Sequence, residues 1–139
     1  MPLLDEVGLL LQTAGLGTLG TTIIKSSVPL DEPMSPAFED ALIALLEVPG
    51  YPALDILNTP DDTVEQPVVQ VVIRGAPYEY EAARAWAQQV YLTLRRVQNQ
   101  LLSGTFYLFM QPLQPPFALP VDALQRPHIV FRVRCQKAL

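Results

Sequence analysis

Residues 67–74 (PVVQVVIR) constrain the fold more than any other segment, because they are apolar on both sides of an extended chain. In a β-strand, successive side chains point to opposite faces, so Val69, Val71 and Ile73 share one face while alternate residues line the other. A strand that is apolar on both faces must have other parts of the protein packed against each face to keep these side chains from water. We therefore expect this segment to lie in the centre of a sheet and to end at Gly75.

A long amphipathic helix is predicted to follow, from Glu79 to Gly104. Its apolar residues recur at alternating intervals of four and three, which is the spacing of one buried helix face. A glycine just past the last apolar residue is a common helix end. The predicted stripe consists of Ala83, Ala87, Val90, Leu94, Val97 and Leu101.

Three elements are considered before the central strand. Residues 3–14 carry a helical apolar stripe, and Gly15 is placed to end that helix. Residues 21–24 (TTII) are rich in β-branched side chains and indicate a short strand. Residues 41–48 (ALIALLEV) fit either a helix or a buried strand, and their pattern alone leaves both open.

Two further strands are expected after the long helix, at residues 106–111 and 129–136, because apolar and polar residues alternate there. Between them lies a proline-rich loop, residues 112–127, of a length that often serves binding. The sequence thus predicts one α+β domain, residues 1–139. It has a mainly antiparallel sheet of four to five strands, with an N-terminal helix and one long helix packed on one face.

The residues offer little for catalysis or metal binding. One cysteine, Cys135, and one histidine, His128, exclude a multi-cysteine or histidine-rich metal centre. The glycines of residues 15–20 (GLGTLG) follow a helix rather than a strand, which is the wrong order for a dinucleotide site. The acids at Asp61 and Asp62 are flanked by proline, as in a turn. We expect no enzyme activity, no cofactor and no metal.

Charge is divided unevenly along the chain. Up to Val69 there are eleven acids against Lys25 alone, and from Gln70 onward eight basic residues against three acids, for an overall charge of −5. Such a division favours two oppositely charged faces that meet head to tail in copies of the same chain. With a pI near 4.7 and two lysines, the chain is not a typical DNA binder. No signal peptide or membrane span is expected either.

Residues 60–75 (PDDTVEQPVVQVVIRG), 78–84 (YEYEAAR) and 90–94 (VYLTL) resemble the tail terminator, or tail completion, proteins of tailed bacteriophages. Some of these virion proteins are called minor capsid proteins. The resemblance continues in residues 114–117 (QPPF), 125–127 (QRP) and 129–136, and it spans roughly residues 21–136.

The resemblance implies an α+β subunit that assembles into a ring, usually a homo-hexamer, in the tail or neck of the virion, after synthesis in the host cytoplasm. Such a ring sits on the last ring of tail tube protein, stops tube growth and joins the tail to the head–tail connector or stopper protein. Phage DNA would pass through its channel without specific binding, and no membrane is involved. In such proteins the segment like 41–48 is a strand. The alternatives are another head–tail neck protein, such as a stopper or connector, and a small ligand-binding domain or enzyme.

Two sets of residues are candidates for assembly contacts. The first would join neighbouring subunits by pairing acids with arginines, and planar arginines suit such bidentate pairs; it comprises Asp61, Asp62, Glu65, Arg95, Arg126, Arg132 and Arg134. The second, Gln114, Phe117 and Leu119, lies in the proline-rich loop and would dock on the tail tube or the connector. The other interpretation of this loop is that it folds over its own core. Surplus acid is also expected to line the channel and repel DNA.

Overall fold

The structure, a computed structural model, describes residues 3–25, 41–56, 59–121 and 124–138, with the side chains of residues 54–63 excepted. Two helices and seven strands make up this part of the chain. In chain order they are α1 (Leu3–Thr13), β1 (Ile23–Lys25), β2 (Leu42–Ile56), β3 (Thr59–Arg74), α2 (Tyr80–Arg95), β4 (Gln98–Leu102), β5 (Thr105–Pro112), β6 (Phe117–Leu119) and β7 (His128–Ala138). All but the first residue of the ambiguous segment, residues 41–48, lies in β2, so the segment is a strand, as the family resemblance implied.

The strands form one sheet in the order β1-β2-β3-β7-β5-β4, and β6 pairs with β7 beyond the end of β5. β3 lies between β2 and β7, so its predicted central position is confirmed. β1 runs parallel to β2, whereas the other pairs are antiparallel. The α+β class is therefore confirmed, but the expected sheet of four to five mainly antiparallel strands was too small, and the sheet is mixed.

The end of the long helix was predicted wrongly. α2 ends at Arg95. The carbonyl of Val97 already accepts a hydrogen bond from the N–H of Met110 in β5, at 3.2 Å, so Val97 belongs with the sheet and not with the helix. The residues predicted as the last turns of the helix form β4, which pairs with β5. Ser103 and Gly104 have φ values of 48° and 88°, so they form the two-residue turn of a β-hairpin rather than a helix end.

Both helices pack on one face of the sheet. The main core joins the inner positions of the strands to α1 residues such as Leu11 and to the α2 stripe of Ala83, Ala87, Val90 and Leu94. The indole N–H of Trp86 on α2 also donates to the carbonyl of Leu16 at 2.8 Å. Burial of each valine or leucine side chain in this core contributes about 1.5–3 kcal/mol. A second, smaller cluster on the opposite face contains Leu42, Ala44 and Val72, and its described members all come from strands.

The glycine-rich segment after α1 is a helix exit, as predicted. Gly15 has φ +79°, and its N–H donates to the carbonyl of Gln12 at 3.0 Å. This left-handed conformation closes helices and favours glycine. The segment then leads to β1, so its glycines do not stand between a strand and a helix N-terminus as a dinucleotide site requires.

Candidate assembly surface

The order of the strands places the two halves of the chain next to opposite edge strands of the same sheet, so that each half of the chain forms one lateral half of the sheet. β1, β2 and β3 occupy one side, and β7, β5 and β4 occupy the other. In the sequence, residues 26–73 contain no lysine or arginine, and residues 82–121 contain no aspartate or glutamate. Within the described strands, the acids accordingly all lie in β2 and β3, whereas three of the five lysine and arginine residues lie in β7.

Arginine and glutamine side chains pair across strands on the sheet face opposite the helices. Arg132 Nε donates to Gln70 Oε1 at 3.2 Å, and Arg134 Nη2 donates to Gln111 Oε1 at 2.7 Å. Gln136 Nε2 donates in the same way to Gln66 Oε1 at 2.8 Å. These pairs link β7 to its neighbours β3 and β5. We call the six residues Gln66, Gln70, Gln111, Arg132, Arg134 and Gln136 the polar ladder.

Arg134 is the most constrained member of the polar ladder. Its guanidinium carbon lies 5.3 Å from the ring centroid of Tyr51 and 5.5 Å from that of Phe109. Each such cation–π contact contributes about 0.5–1 kcal/mol near a surface. Its buried Nε has no hydrogen-bond partner among the residues that the structure describes. Two aromatic rings and Gln111 thus hold the guanidinium in a fixed orientation.

The predicted interface residues do not gather at one place within the subunit. Arg132 is exposed in the polar ladder, and Arg95 is exposed at the end of α2. Glu65 faces Lys137 in the register of β3 and β7, and its Oε2 lies 3.6 Å from Lys137 Nζ. Asp61 and Asp62 lie in β3, but their side chains are outside those the structure describes.

Arg126 differs from the other arginines proposed for the interface, because it is buried inside the subunit with 0% exposure. Arg74 is buried equally, and it faces the buried His128 in the register of β3 and β7. Arg74, Arg126 and His128 are therefore three buried basic residues at or next to the start of β7. Sequence reasoning missed this, because arginine is rarely buried completely and no pattern marks the exceptions.

An open concavity of about 590 Å³ lies between α2 and the β4–β5 hairpin. Tyr91 and Arg95 of α2 line one wall, and Gln98, Phe109 and Gln111 line the other. Arg95 is the one charged residue among its lining residues, and none of them is an acid, histidine or cysteine. A single guanidinium without a neighbouring acid in the lining suits the binding of a carboxylate.

The proline-rich loop is partly ordered as a strand, which the sequence did not predict. β6 pairs with the first residues of β7, and Arg84 Nη1 donates to the carbonyl of Pro116 at 2.7 Å. Phe117 and Leu119 are nevertheless each 43% exposed, while Gln114 is half-buried. The loop thus packs its backbone on the sheet and presents apolar side chains outward; further exposed apolar residues are Leu113, Val121 and Leu124.

Two residues of the main core, Tyr107 and Cys135, have a raised pKa. Tyr107 donates its hydroxyl to Glu6 Oε1 at 3.1 Å, and burial together with this carboxyl raises the pKa of Tyr107 well above its ordinary value. Burial also raises the pKa of the Cys135 thiol to about 12. A thiol held in its protonated form is a poor nucleophile. Within the described ranges, no group of three potential ligands is placed to hold a metal ion.

The fold defines a class of protein: a small α+β subunit with two helices on one face of a mixed sheet and with polar and apolar side chains exposed on its surface. The sequence profile of the family described as "Bacteriophage tail terminator protein" matches residues 10–138. The chain belongs to this family, which consists of structural proteins of the phage tail and not of enzymes. The protein is accordingly a component of the virion. No helix in the described residues has the length and apolarity needed to cross a bilayer.

Among solved structures, the fold is similar to that of a chain in the virion of a native gene transfer agent particle. The TM-score is 0.67 at 18% sequence identity, and the match covers 99% of this chain and 95% of that chain. At this identity the similarity establishes the fold. A search of curated proteins found no significant match.

Proposed function

We propose that this chain forms a closed ring, in the first instance a homo-hexamer, at the end of a phage tail tube. The ring stops tube polymerisation and provides the surface that the head–tail connector or stopper protein binds. Membership of the tail terminator family supports this role.

The observation that carries the proposal is the position of the two chain halves in the sheet. The acidic half supplies β1, β2 and most of β3, and the basic half supplies β7, β5 and β4. A ring requires a heterologous contact, in which one side of a subunit meets a different side of the next. Opposite charge on the two sides favours that contact and disfavours pairing of like sides.

Within this proposal, exposed arginines of one subunit meet acids of the next. Arg132 and Arg95 are the strongest candidates, because both are exposed. Arg134 is a further candidate, because the residue is half-buried rather than enclosed. On the acidic side the candidates are Asp61, Asp62 and Glu65. Arg126 is internal to the subunit and takes no part in this contact.

DNA would pass through the ring without being held. The chain carries a net charge of −5, so a ring of copies repels the phosphate backbone at long range. Surplus acid facing the channel would strengthen this repulsion where the DNA is closest. Contact with the tube or the connector is assigned to the exposed apolar side chains of Phe117 and Leu119, with Gln114 beside them.

The proposal is tested by adding the purified chain to tail tube protein during polymerisation and measuring tube length by electron microscopy. We expect tubes to stop lengthening after addition, each with a density cap at one end. A matched chain with Phe117→Ser and Leu119→Ser tests whether the loop makes this contact. Tubes that grow to the same length with and without the wild-type chain would contradict the capping role.

A further inference from the structure

Residues 78–81 (YEYE) alternate aromatic rings with carboxylates at the start of α2, and we call them the YEYE segment. All four residues are exposed, Tyr78 to 83% and Tyr80 to 47%. Neither glutamate forms an ion pair with another described residue. Glu79, at the N-cap of α2, makes no side-chain capping hydrogen bond either. The YEYE segment therefore presents two rings and two carboxylates to solvent.

The backbone of the YEYE segment is fixed, although its side chains are exposed. The N–H of Tyr78 donates to the carbonyl of Gln125 at 3.0 Å, and that of Glu79 donates to the carbonyl of Ala76 at 3.1 Å. Tyr78 has a φ of 65°, a left-handed conformation that glycine adopts readily and a bulky residue rarely does. Strain of this kind is concentrated at functional sites. The fold thus holds a tyrosine outward where glycine would suit the backbone better.

The other end of α2 is basic and concave. Arg95 is the last residue of the helix and Arg96 is its C-cap, and both are exposed. Arg95 lines the concavity of about 590 Å³ described above, and both arginines line a smaller one of about 370 Å³ that shares Gln98 with the first. Neither arginine forms an ion pair with another described residue. Two guanidinium groups are therefore available to carboxylates of a partner.

Aromatic rings line the larger concavity and are held in place within the subunit. The ring of Tyr91 packs edge-on against Phe131 of β7, with 5.7 Å between the ring centroids. Across the concavity, the ring of Phe109 lies 5.5 Å from the guanidinium carbon of Arg134. Aromatic residues and arginine are enriched at protein interfaces, where aromatic rings pack against one another. The lining therefore suits a partner that brings both a ring and a carboxylate.

The YEYE segment and the basic concavity lie at opposite ends of one helix. A helix of 16 residues is about 24 Å long, so the two surfaces do not meet within a subunit. A second copy can bring its YEYE segment to the concavity of the first. Such a contact joins two different surfaces of the same chain, which is the heterologous kind that a ring requires.

We infer that the YEYE segment of one copy of this chain docks in the concavity at the C-terminal end of α2 in the next copy, where its glutamates pair with Arg95 and Arg96. The inference rests on the proposed ring and specifies a contact that closes it. The α2 helices then follow one another head to tail around the ring. This contact differs from the pairs proposed above, because its acids come from the start of α2 rather than from β3 and because tyrosine rings take part.

Charge reversal with complementation tests the contact. Arg95→Glu, Glu79→Arg and Glu81→Arg each change the charge by two units, and each should weaken self-association about tenfold or more, as measured by sedimentation. A mixture of Arg95→Glu with one of the two glutamate variants should regain association, because each altered end then meets an end of opposite charge. A ring built in this way alternates the two chains. Circular dichroism confirms that each variant folds.

The matched control places the same charge changes midway along α2. Gln88→Glu with Gln89→Glu, and Gln88→Arg with Gln89→Arg, each change the charge by two units at exposed positions. Association gained on mixing these two would overturn the contact, since net charge alone would then explain the rescue. Where the wild-type chain assembles only on tail tubes, the same mixtures are compared by the fraction of capped tube ends.

At Tyr78, stability and association should change in different directions. Tyr78→Gly removes the ring and relieves the left-handed backbone, so the thermal midpoint should be unchanged or higher. Association should nevertheless weaken about fivefold or more, as for an interface anchor. Tyr78→Phe keeps the ring and should associate nearly as the wild type does. Association unchanged by Tyr78→Gly would overturn the docking of this segment.

The outcomes distinguish this contact from the ring itself. A wild-type chain that assembles, with neither glutamate variant rescued by Arg95→Glu, would overturn the contact and leave the ring proposal intact. A wild-type chain that is monomeric both in solution and in particles would overturn the ring, and the contact with it.

Discussion

The guanidinium group of Arg134 lies over the ring of Tyr51, with 5.3 Å between the guanidinium carbon and the ring centroid. Arg134 is on β7 and Tyr51 is on β2, so this contact bridges the two strands across β3. It lies on the sheet face opposite the helices, beside Arg132. The arginines of this face are thus held on a paired framework and are oriented before any partner arrives, which lowers the entropy cost of binding.

Reversing the charge at Arg132 should weaken self-association. Arg132→Glu places an acid where the proposal requires a cation facing the neighbour's acids, so size-exclusion chromatography with light scattering should show a shift towards monomer. Arg132→Lys, which keeps the charge but not the planar donor group, should have a smaller effect. The double variant Gln88→Glu with Gln89→Glu, at exposed positions of α2, makes the same change of two charge units and controls for added negative charge alone. An assembly unchanged by Arg132→Glu would remove this residue from the interface.

The hydrogen bond between Tyr107 and Glu6 should contribute measurably to stability. Tyr107→Phe leaves Glu6, which is 1% exposed, without its donor, and we expect a loss of about 1–3 kcal/mol in the free energy of unfolding. Urea denaturation measures this loss. The double variant Tyr107→Phe with Glu6→Leu removes both polar groups and should recover part of it. A single variant as stable as wild type would show that the bond contributes nothing net.

Cys135 should make the fold less stable at alkaline pH. Its pKa is raised from 9.0 in the unfolded chain to about 12 in the folded one, so the folded state retains the proton over this interval. The stabilisation is complete below pH 9 and is lost as the pH rises towards 12. At pH 10 it is reduced by about 1 kcal/mol.

Denaturation at pH 8 and pH 10 measures this loss, with Cys135→Ala as the control that should fall less. Tyr107, whose pKa is also raised, adds a loss of the same sign at higher pH in both proteins. Equal pH dependence in the wild type and in Cys135→Ala would contradict the assignment to the thiol.

Phe117 and Leu119 should matter for docking and not for folding. Each is 43% exposed, and the backbone of β6 keeps its pairing with β7 whatever the side chains are. Phe117→Ser should leave the thermal midpoint nearly unchanged and weaken binding to tail tube protein or to the connector, measured by co-sedimentation. Ala118→Ser, at an exposed position of the same strand, is the matched control. A large fall in the thermal midpoint would favour the other interpretation, in which the loop serves its own core.

The sequence predicts an element correctly where the pattern of neighbouring residues determines it. It fails where pairing with strands distant in the sequence determines the structure. β3 was predicted because alternation over eight residues identifies a strand apolar on both faces. β2 could not be assigned from its pattern, because alanine and leucine favour helix and only pairing with β1 and β3 overrides that propensity. The end of α2 was missed because Val97 and Leu101 continue the helical spacing although they belong to the sheet.

The candidate surface was predictable in part. Arg132 and Arg134 stand at the outward positions of an alternating strand, and this local pattern identified them. Their glutamine partners come from β3 and β5, strands distant in sequence, so the polar ladder required the sheet register. Arg126 was placed wrongly on the surface, since nothing in its neighbourhood in the sequence indicates burial.

The most direct test of the ring is cryo-electron microscopy of the neck of assembled particles. The account predicts a closed ring of copies of this chain, six in the first instance, between the last ring of tail tube protein and the connector. A neck in which the chain is absent, or in which it occurs as a single copy beside the tube, would contradict it.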